Sequence, residues 1–359
     1  MKIYYIQSAR PNLKHMKYNN RLSTSKIVMI LFLAFLSLQR SIGSEASFSD
    51  DSRIKVIFDT DMGPDYDDIG AIALLHAFAD QGKVEILATV ASDAHKDIPA
   101  TIEVYNRYFG RGGIPVGKTT NPSAPEFTAE NNWNDAIIKQ FAPELANKDY
   151  PLAVDIYRRE LVKQPDNCVT IITVGFMTNI SDLLKSKPDQ YSKLNGVQLV
   201  KQKVKNWVAM AAAFPKGKEF NVHQDAASAS YAFDNFPRPI LFSGYEIGDK
   251  IKTGGKVAGL NNSDSPVSIG YKINLETYEK QKVESRKSWD QTAVLIAAEN
   301  PEKYFHISGP GKIRLEDDGA NYWEPMKKGN HRFVIHKYPY QKLEEVIDEL
   351  MLHEPQKKQ

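Results

Sequence analysis

Five aspartates crowd into ten residues, Asp59-Thr60-Asp61-Met62-Gly63-Pro64-Asp65-Tyr66-Asp67-Asp68, directly behind the short apolar run Lys55–Phe58. That run is rich in β-branched and aromatic residues and reads as a strand, while Ile69–Leu75 beyond the loop has helical spacing. Carboxylates packed this densely at the end of a buried strand repel one another unless a cation neutralises them or water surrounds them. Gly63 lets the backbone turn sharply, and Pro64 fixes φ at the bend. Hard oxygen donors on a loop suit Ca²⁺ better than Zn²⁺, which prefers nitrogen and sulfur. The competing reading is a solvated acidic turn, in which Asp67 and Asp68 merely favour the N-terminal dipole of the next helix. Position right after an apolar strand speaks for the cation.

The same strand-to-helix unit recurs along the chain. Val84–Val90 is a second apolar strand, and residues 98–109 form a helix that ends at Gly110-Arg111-Gly112-Gly113. Ile114-Pro115-Val116 is a short third strand, and Val169–Val174 leads into the helical stretch Met177–Leu184. Continuous apolar strands alternating with helices predict an α/β fold, an open and mostly parallel sheet covered by helices on both faces. Residues 119–150 read as a polar loop with one helix, in which Asn131, Asn132 and Trp133 suggest a flap over the ligand. Residues 251–285 read as an insertion or flap, His331–His336 as a strand and Tyr340–Leu352 as a closing helix. No Pro/Gly/Ser linker divides the chain after residue 50, so residues 54–359 are expected to form a single domain.

The N-terminus differs in kind. Residues 27–36 read IVMILFLAFL, with Lys14, Lys17, Arg21 and Lys26 before them and small residues after. A basic segment, a short apolar core and small residues describe a secretory signal peptide over residues 1–43, followed by a polar linker over 44–53. The run falls short of the roughly 20 apolar residues of a membrane span, so no stable membrane insertion is expected and the mature protein is secreted or periplasmic. Residues 1–43 hold seven Lys/Arg and no Asp/Glu, and their removal turns a formal net charge of +2 into −5. With no basic stripe left, a nucleic-acid polymer is excluded as a partner. Cys168 is the only cysteine, which rules out an internal disulfide; it sits in an apolar run and reads as a buried structural thiol.

The acidic loop resembles the D-x-D-x-G-x-D-D signature of the inosine–uridine-preferring nucleoside hydrolase family, in a variant with extra residues before the final pair. Further segments match in order: Ala88-Thr89-Val90 with Asn106 and Gly110-Arg111, Val174-Gly175-Phe176-Met177-Thr178-Asn179, Glu219-Phe220-Asn221, and Ser288-Trp289-Asp290 opening a helix. The resemblance spans roughly residues 55–300 and implies the Rossmann-like fold of that family. It also implies a Ca²⁺ held by Asp61, Asp67, Asp68, Asp290 and the Val174 carbonyl, binding a water and the ribose hydroxyls. Asp61 is the implied base, taking a proton from that water as it attacks C1′. Glu219 and Asn221 hold ribose hydroxyls, Asp93 and Trp289 line the substrate site, and dimers or tetramers are the expected assembly.

Two departures bear on the leaving group, and a third removes an expected ribose contact. Trp289 stands where many family members carry a histidine proposed to protonate the departing base, and indole only donates a hydrogen bond. Stacking on a purine and simple core packing both stay open for Trp289. Asp93 replaces the usual asparagine and neighbours His95, so protonation is open to either; an expected asparagine falls in Ala211-Ala212-Ala213. His76, inside a helix, reads as a core or surface residue, and His223 as a pocket candidate. The expected function is calcium-dependent hydrolysis of a small ribonucleoside or related N-riboside. Two alternatives remain: a Ca²⁺-dependent sugar- or nucleoside-binding protein without catalysis, and a phosphohydrolase using Asp59 as nucleophile.

Overall fold

The computed structural model of this chain describes residues 53–63, 65–119, 121–122, 124–278 and 284–355. The signal peptide expected over residues 1–43, nearly all of the 44–53 linker and Pro64 lie outside the described residues. The described strands are β1 (Ile54–Thr60), β2 (Val84–Ala91), β3 (Val116–Gly117), β4 (Val169–Thr173), β5 (Val204–Met210), β6 (Lys216–Lys218), β7 (Ile240–Ser243), β8 (Lys252–Thr253), β9 (Arg286–Lys287), β10 (Phe305–Ile307), β11 (Gly311–Leu315), β12 (Ala320–Pro325) and β13 (His331–His336). The main sheet runs β3-β2-β1-β4-β5-β7-β13-β11-β12-β6, with β10 beside β13, while β8 and β9 pair separately. Every pairing from β3 to β13 along this path is parallel, and the far edge is antiparallel.

Alternation along β1 explains why both faces must be covered. Val56 and Phe58 pack into one core with Ile72 and Leu75, while Ile57 points into the other with Ile171 and Trp207. Strands buried on both faces carry no polar stripe, which is why β1 and β4 read as mainly apolar and β-branched runs. The helix Asp67–Asp80 is equally one-sided in its chemistry: Ile69 through Phe78 are all buried, wedged between the sheet and the helices Asp290–Ala298 and Tyr340–Met351. Among the described residues no helix is long and apolar enough to cross a membrane.

The segment read as a flap over residues 251–285 contributes to the core instead. Its helix Pro266–Tyr278 packs on Asp67–Asp80, with Tyr271 and Asn274 fully buried. Lys252 and Lys256 are exposed, so composition alone concealed the apolar side. Trp133 likewise is no lid: it is fully buried and its Nε1 donates to the Gly63 carbonyl at 3.0 Å, bracing the acidic loop from behind. Cys168 is half-buried, its thiol donating to the Pro165 carbonyl at 3.1 Å, just before β4.

Sheet order places the site. From β1 the chain steps outward to β2 and β3, then returns to β4 on the other side of β1. That reversal parts the loops following β1 and β4, and in open parallel sheets ligands bind in such a crevice, beyond the carboxyl ends of the strands.

Candidate active site

Both walls of the crevice are built by short-range hydrogen bonding. Asp59, the first aspartate, is sealed inside: the Tyr157 hydroxyl donates to Oδ2 at 2.8 Å and the Asn179 amide reaches both oxygens at 3.2 and 3.3 Å. Burial pushes its carboxyl up to about 7 against those hydrogen bonds. The same Asn179 amide donates to the Ala91 carbonyl at 2.9 Å, and the Val174 N–H donates to the Asp59 carbonyl at 2.8 Å. Asp59 and Asn179 thus tie the β1, β2 and β4 ends together and do not face the cavity.

Gly175 permits this closeness. A Cβ there would lie 2.4 Å from the Asp61 backbone nitrogen and 2.4 Å from Ser92 Oγ. Because backbone cannot yield as a side-chain tip can, Gly175→Ala is expected to push the Asp61 loop outward. Overpacking of this kind costs about 1–3 kcal/mol, and displacing a reacting group by ~1 Å costs roughly 100-fold in rate. A thermal melt and kcat/KM on the purified variant check this; wild-type values for both would refute the tight-approach argument.

The remaining carboxylates converge. Asp67, Asp68 and Asp290 each offer an oxygen within 4.8 Å of the others, and all three are buried. Asp68 Oδ1 accepts from the Thr60 hydroxyl and from the Met62 N–H at 3.1 Å, whereas its Oδ2 is buried without a partner. Asp67 Oδ2 accepts the backbone N–H groups of Trp289 (2.8 Å) and Asp290 (3.1 Å), holding the first turn of the helix Asp290–Ala298 against the loop. A carboxylate there satisfies two orphan donors and the helix dipole together. Asp61 stands outside the trio but within hydrogen-bond reach of Asp68. Burial first, then the charges of Asp68 and Asp93, hold the Asp61 carboxyl well above its ordinary range. Asp290 is raised by burial and by Asp67 and Asp68, and Asp68 by burial to about 6.

Hard oxygens crowded this closely, one of them an orphaned buried acceptor, fit a divalent cation. Asp67, Asp68 and Asp290 are placed to hold one. Val174 lines the same space, and its carbonyl accepts the Asn221 amide at 2.9 Å, which leaves it a second lone pair.

A cavity of about 450 Å³ opens above these groups, lined also by Asp65, Phe127, Met210, Glu219, Phe220, Tyr245, Arg286 and Trp289. Of the residues expected at the site, Asp61, Asp67, Asp68, Val174, Glu219, Asn221, Trp289 and Asp290 all line it; Asp93 does not. The Asp93 carboxylate is spent on the backbone N–H groups of His95 (2.7 Å) and Phe127 (3.1 Å), and burial pushes it up to about 7. His95 opens onto a different hollow with Lys96 and Lys118. His223 is exposed on the Asp318 carbonyl, and His76 is buried against Asn106 and Phe109.

Glu219 has a second task. Its carboxylate accepts the N–H groups of Asn221 (2.8 Å), Ala212 (3.0 Å) and Val222 (3.2 Å), fixing the short helix Phe220–Gln224. Burial pushes it up to about 7 against those donors. With a folded-state pKa above the unfolded value of about 4.3, its stabilising contribution is complete below pH 4 and lost as pH rises through 7. Glu219→Gln is therefore expected to shrink the fall in stability between pH 5 and pH 8 by about 2 kcal/mol. Melting curves at the two pH values measure it; an unchanged difference would contradict the assignment.

Trp289 is neither core nor an open stacking platform. Tyr245 stacks on it (5.5 Å, 29°), its Nε1 donates to the Tyr245 carbonyl at 2.8 Å, and Arg286 and Lys287 lie 5.3 and 5.5 Å from its ring centre. Arg286 also forks onto Asp65. Phe127, Phe220, Tyr245 and Arg286 were not among the expected site residues. Phe220 lay within the E-F-N segment itself, and Tyr245 just beyond a strand end, where ligand contacts concentrate.

The family model of the inosine-uridine preferring nucleoside hydrolases matches residues 56–320, and the chain belongs to that family. A pyrimidine-specific ribonucleoside hydrolase, RihA, of Citrobacter koseri is 26% identical over 211 residues, covering 55% of this chain and 62% of the relative. The matched stretch thus spans under two thirds of that relative's length. A plant nucleoside hydrolase, PpNRh1, superposes with a TM-score of 0.62 at 19% identity, covering 83% of this chain and 98% of its own. A purine-preferring ribonucleoside hydrolase from Gardnerella vaginalis gives 0.61 at 15%, with the same coverage. These two structures attest the fold, and they share its large, mostly parallel α/β sheet.

Proposed function

We propose that this protein hydrolyses the N-glycosidic bond of a ribonucleoside or related N-riboside, releasing ribose and the free base. The observation that carries this reading is the convergence of Asp61, Asp67, Asp68 and Asp290 with the Val174 carbonyl at the β1/β4 switch point, around the orphaned Asp68 Oδ2. Calcium is the cation of choice for such a set of oxygens, held by Asp67, Asp68, Asp290 and the Val174 carbonyl with Asp61 beside them. Bound there, it would lower the pKa of a water and favour binding of vicinal hydroxyls.

The chain's own groups do the rest. Asp61, its carboxylate at the cavity floor, takes the proton of the attacking water. Water oxygen bonds to C1′ as the C1′–N bond lengthens, and neighbouring carboxylate oxygens stabilise the oxocarbenium-like charge on the ribose. Glu219 and Asn221 orient the sugar on a short helix that their own hydrogen bonds hold rigid. The phosphohydrolase alternative has no accessible nucleophile, since Asp59 is sealed beneath Tyr157 and Asn179. The apolar leader extends the proposal to export from the cytoplasm.

Reducing sugar released from inosine, uridine, cytidine and adenosine, with and without a chelator, is the test. Ribose release that stops on chelation is expected. Tight nucleoside binding without any release would favour the non-catalytic alternative.

A further inference from the structure

The acidic loop carries a stretch of chain that contributes no ligand of its own. Met62, Gly63, Pro64, Asp65 and Tyr66 separate Asp61 from Asp67. Each residue added to a loop adds freedom that ordering must remove, so the carboxylates keep their places only if this backbone is held. Met62 shows how strongly it is held. It is fully buried and sits in the left-handed region at φ +37°, although it is not glycine. An L side chain stays there only where its surroundings dictate it. The Met62 N–H donates to Asp68 Oδ1 at 3.1 Å, and its carbonyl accepts Asn134 Nδ2 at 2.9 Å. The next carbonyl, that of Gly63, takes Trp133 Nε1. Trp133 and Asn134 open the helix Trp133–Phe141, so its first two residues hold two successive loop carbonyls.

The holding residues are themselves fixed. Asn131 Oδ1 accepts the Trp133 N–H at 3.3 Å, and Asn131 Nδ2 donates to Asn274 Oδ1 at 3.0 Å. Asn274 is fully buried in the helix Pro266–Tyr278, which packs on the helix Asp67–Asp80. Asn134, itself buried, also donates to Thr101 Oγ1 at 3.3 Å. Both ends of the stretch from Asp61 to Asp68 are thus referred to one frame, through the helix that carries Asp67 and Asp68 and through the two carbonyls. Neither Trp133 nor Asn134 lines the cavity.

Resting on the hydrolase reading above, we propose that Asn134, assisted by Trp133, is a positioning residue whose amide on the Met62 carbonyl sets the pose of Asp61 and Asp68. Through that pose it sets the affinity of the cation site and the rate of the water's attack. The left-handed turn at Met62 brings its N–H to Asp68 Oδ1. The Thr60 hydroxyl donates to the same oxygen, which leaves Oδ2 for the ion. Without the Asn134 amide, a buried carbonyl loses its donor and Met62 has every reason to leave a disfavoured conformation. Its N–H then moves off Asp68, and Asp61, one residue earlier, moves with it.

The test measures Ca²⁺ affinity by calorimetric titration, independently of turnover, beside kcat, KM and thermal melts in chelator. Asn134→Leu keeps the side-chain shape and removes both donors. We expect its Kd for Ca²⁺ to rise about 10–100-fold and its kcat at saturating Ca²⁺ to fall about 10–100-fold, as for groups that orient metal ligands from behind. KM should stay within about threefold, because Glu219 and Asn221 are untouched. Trp133→Phe, which loses one N–H and keeps the ring, should raise the Kd about 10-fold. Gln140→Ala is the control: it breaks only the bond from Gln140 to the Ser263 carbonyl on the same helix, and Kd and kcat should stay within about threefold. A folded Asn134→Leu that melts lower yet keeps both Kd and kcat near wild type would be merely structural, and the inference falls. Should that variant fail to fold, an unchanged Kd in Trp133→Phe overturns it equally. A loss of affinity in Gln140→Ala matching that of Asn134→Leu also overturns it, since any disturbance of the helix would then suffice. Weakened Ca²⁺ binding in Asn134→Leu, with no ribose released by the wild type from any nucleoside, upholds the positioning role and removes the hydrolase reading instead.

Discussion

Asp61→Asn is expected to lower kcat about 1,000-fold while leaving the fold intact, since a positioned general base contributes roughly 10²–10⁴. Two features make this substitution informative. Asp61 lies beside Asp68 but outside the Asp67–Asp68–Asp290 trio, so the variant should retain Ca²⁺ binding within about tenfold, whereas Asp290→Ala should lose it. The asparagine also removes a carboxyl whose ionisation is disfavoured by burial and by the charges of Asp68 and Asp93. In metal-free buffer the melting temperature should therefore hold steady or rise. Calcium titration, thermal melts and ribose release on one preparation decide the matter. Activity within tenfold of wild type would exclude Asp61 as the base, and loss of Ca²⁺ binding equal to that of Asp290→Ala would place it among the ligands instead.

The parallel half of the sheet was legible because its strands are buried on both faces. β1, β2 and β4 are dominated by apolar and β-branched residues, and the helices behind them start within a few residues of the ends that periodicity suggests. The antiparallel edge was hidden for the opposite reason. β6 is Lys216-Gly217-Lys218, and β12 mixes Asn321, Tyr322 and Glu324 with one face open to solvent, so neither presents a run that pattern can find. β5 opens on buried Val204, but exposed Lys205 and polar Asn206 interrupt it before the apolar run from Trp207, which masks its start.

The site divides along similar lines. Asp61 and Asp68 were legible within the dense acidic loop behind a strand, and Asp290 through the resemblance of its segment to the family. Asp59 and Asp93 have the same chemistry and a different fate, decided by partners far along the chain: Tyr157 and Asn179 for one, the Phe127 backbone for the other. No local pattern distinguishes a carboxylate facing a cavity from one sealed behind it. The aromatic wall was hidden too, since Phe127 and Phe220 come together only when the loop bearing Phe127 is anchored to Asp93.

Divalent cation removal should have the largest effect after the base. Four buried carboxylates, Asp61, Asp67, Asp68 and Asp290, converge here, and burial first, then the charges of neighbouring aspartates including Asp65, raise all four. In stripped protein their folded-state pKa values lie above the unfolded value of about 3.9, so the fold binds more protons than the unfolded chain between roughly pH 4 and the raised values. Stability is then greatest at acid pH and falls as pH rises through about 6, where Asp68 deprotonates. Calcium reverses that slope, because the ion replaces the protons and binds best once they have left. Adding Ca²⁺ at 100 times its Kd should stabilise the fold by about 2.7 kcal/mol, or roughly 5–10 °C in Tm. The gain should be larger at pH 7.5 than at pH 5, where protons compete. Turnover should fall at least ~1,000-fold on chelation and return with Ca²⁺, and to a smaller extent with Mg²⁺, which demands a stricter octahedral shell. A Tm gain equal at both pH values would mean that calcium binds elsewhere on the surface. Full turnover in chelator would show that the carboxylates work without an ion, and the mechanism would then have to rest on Asp61 alone.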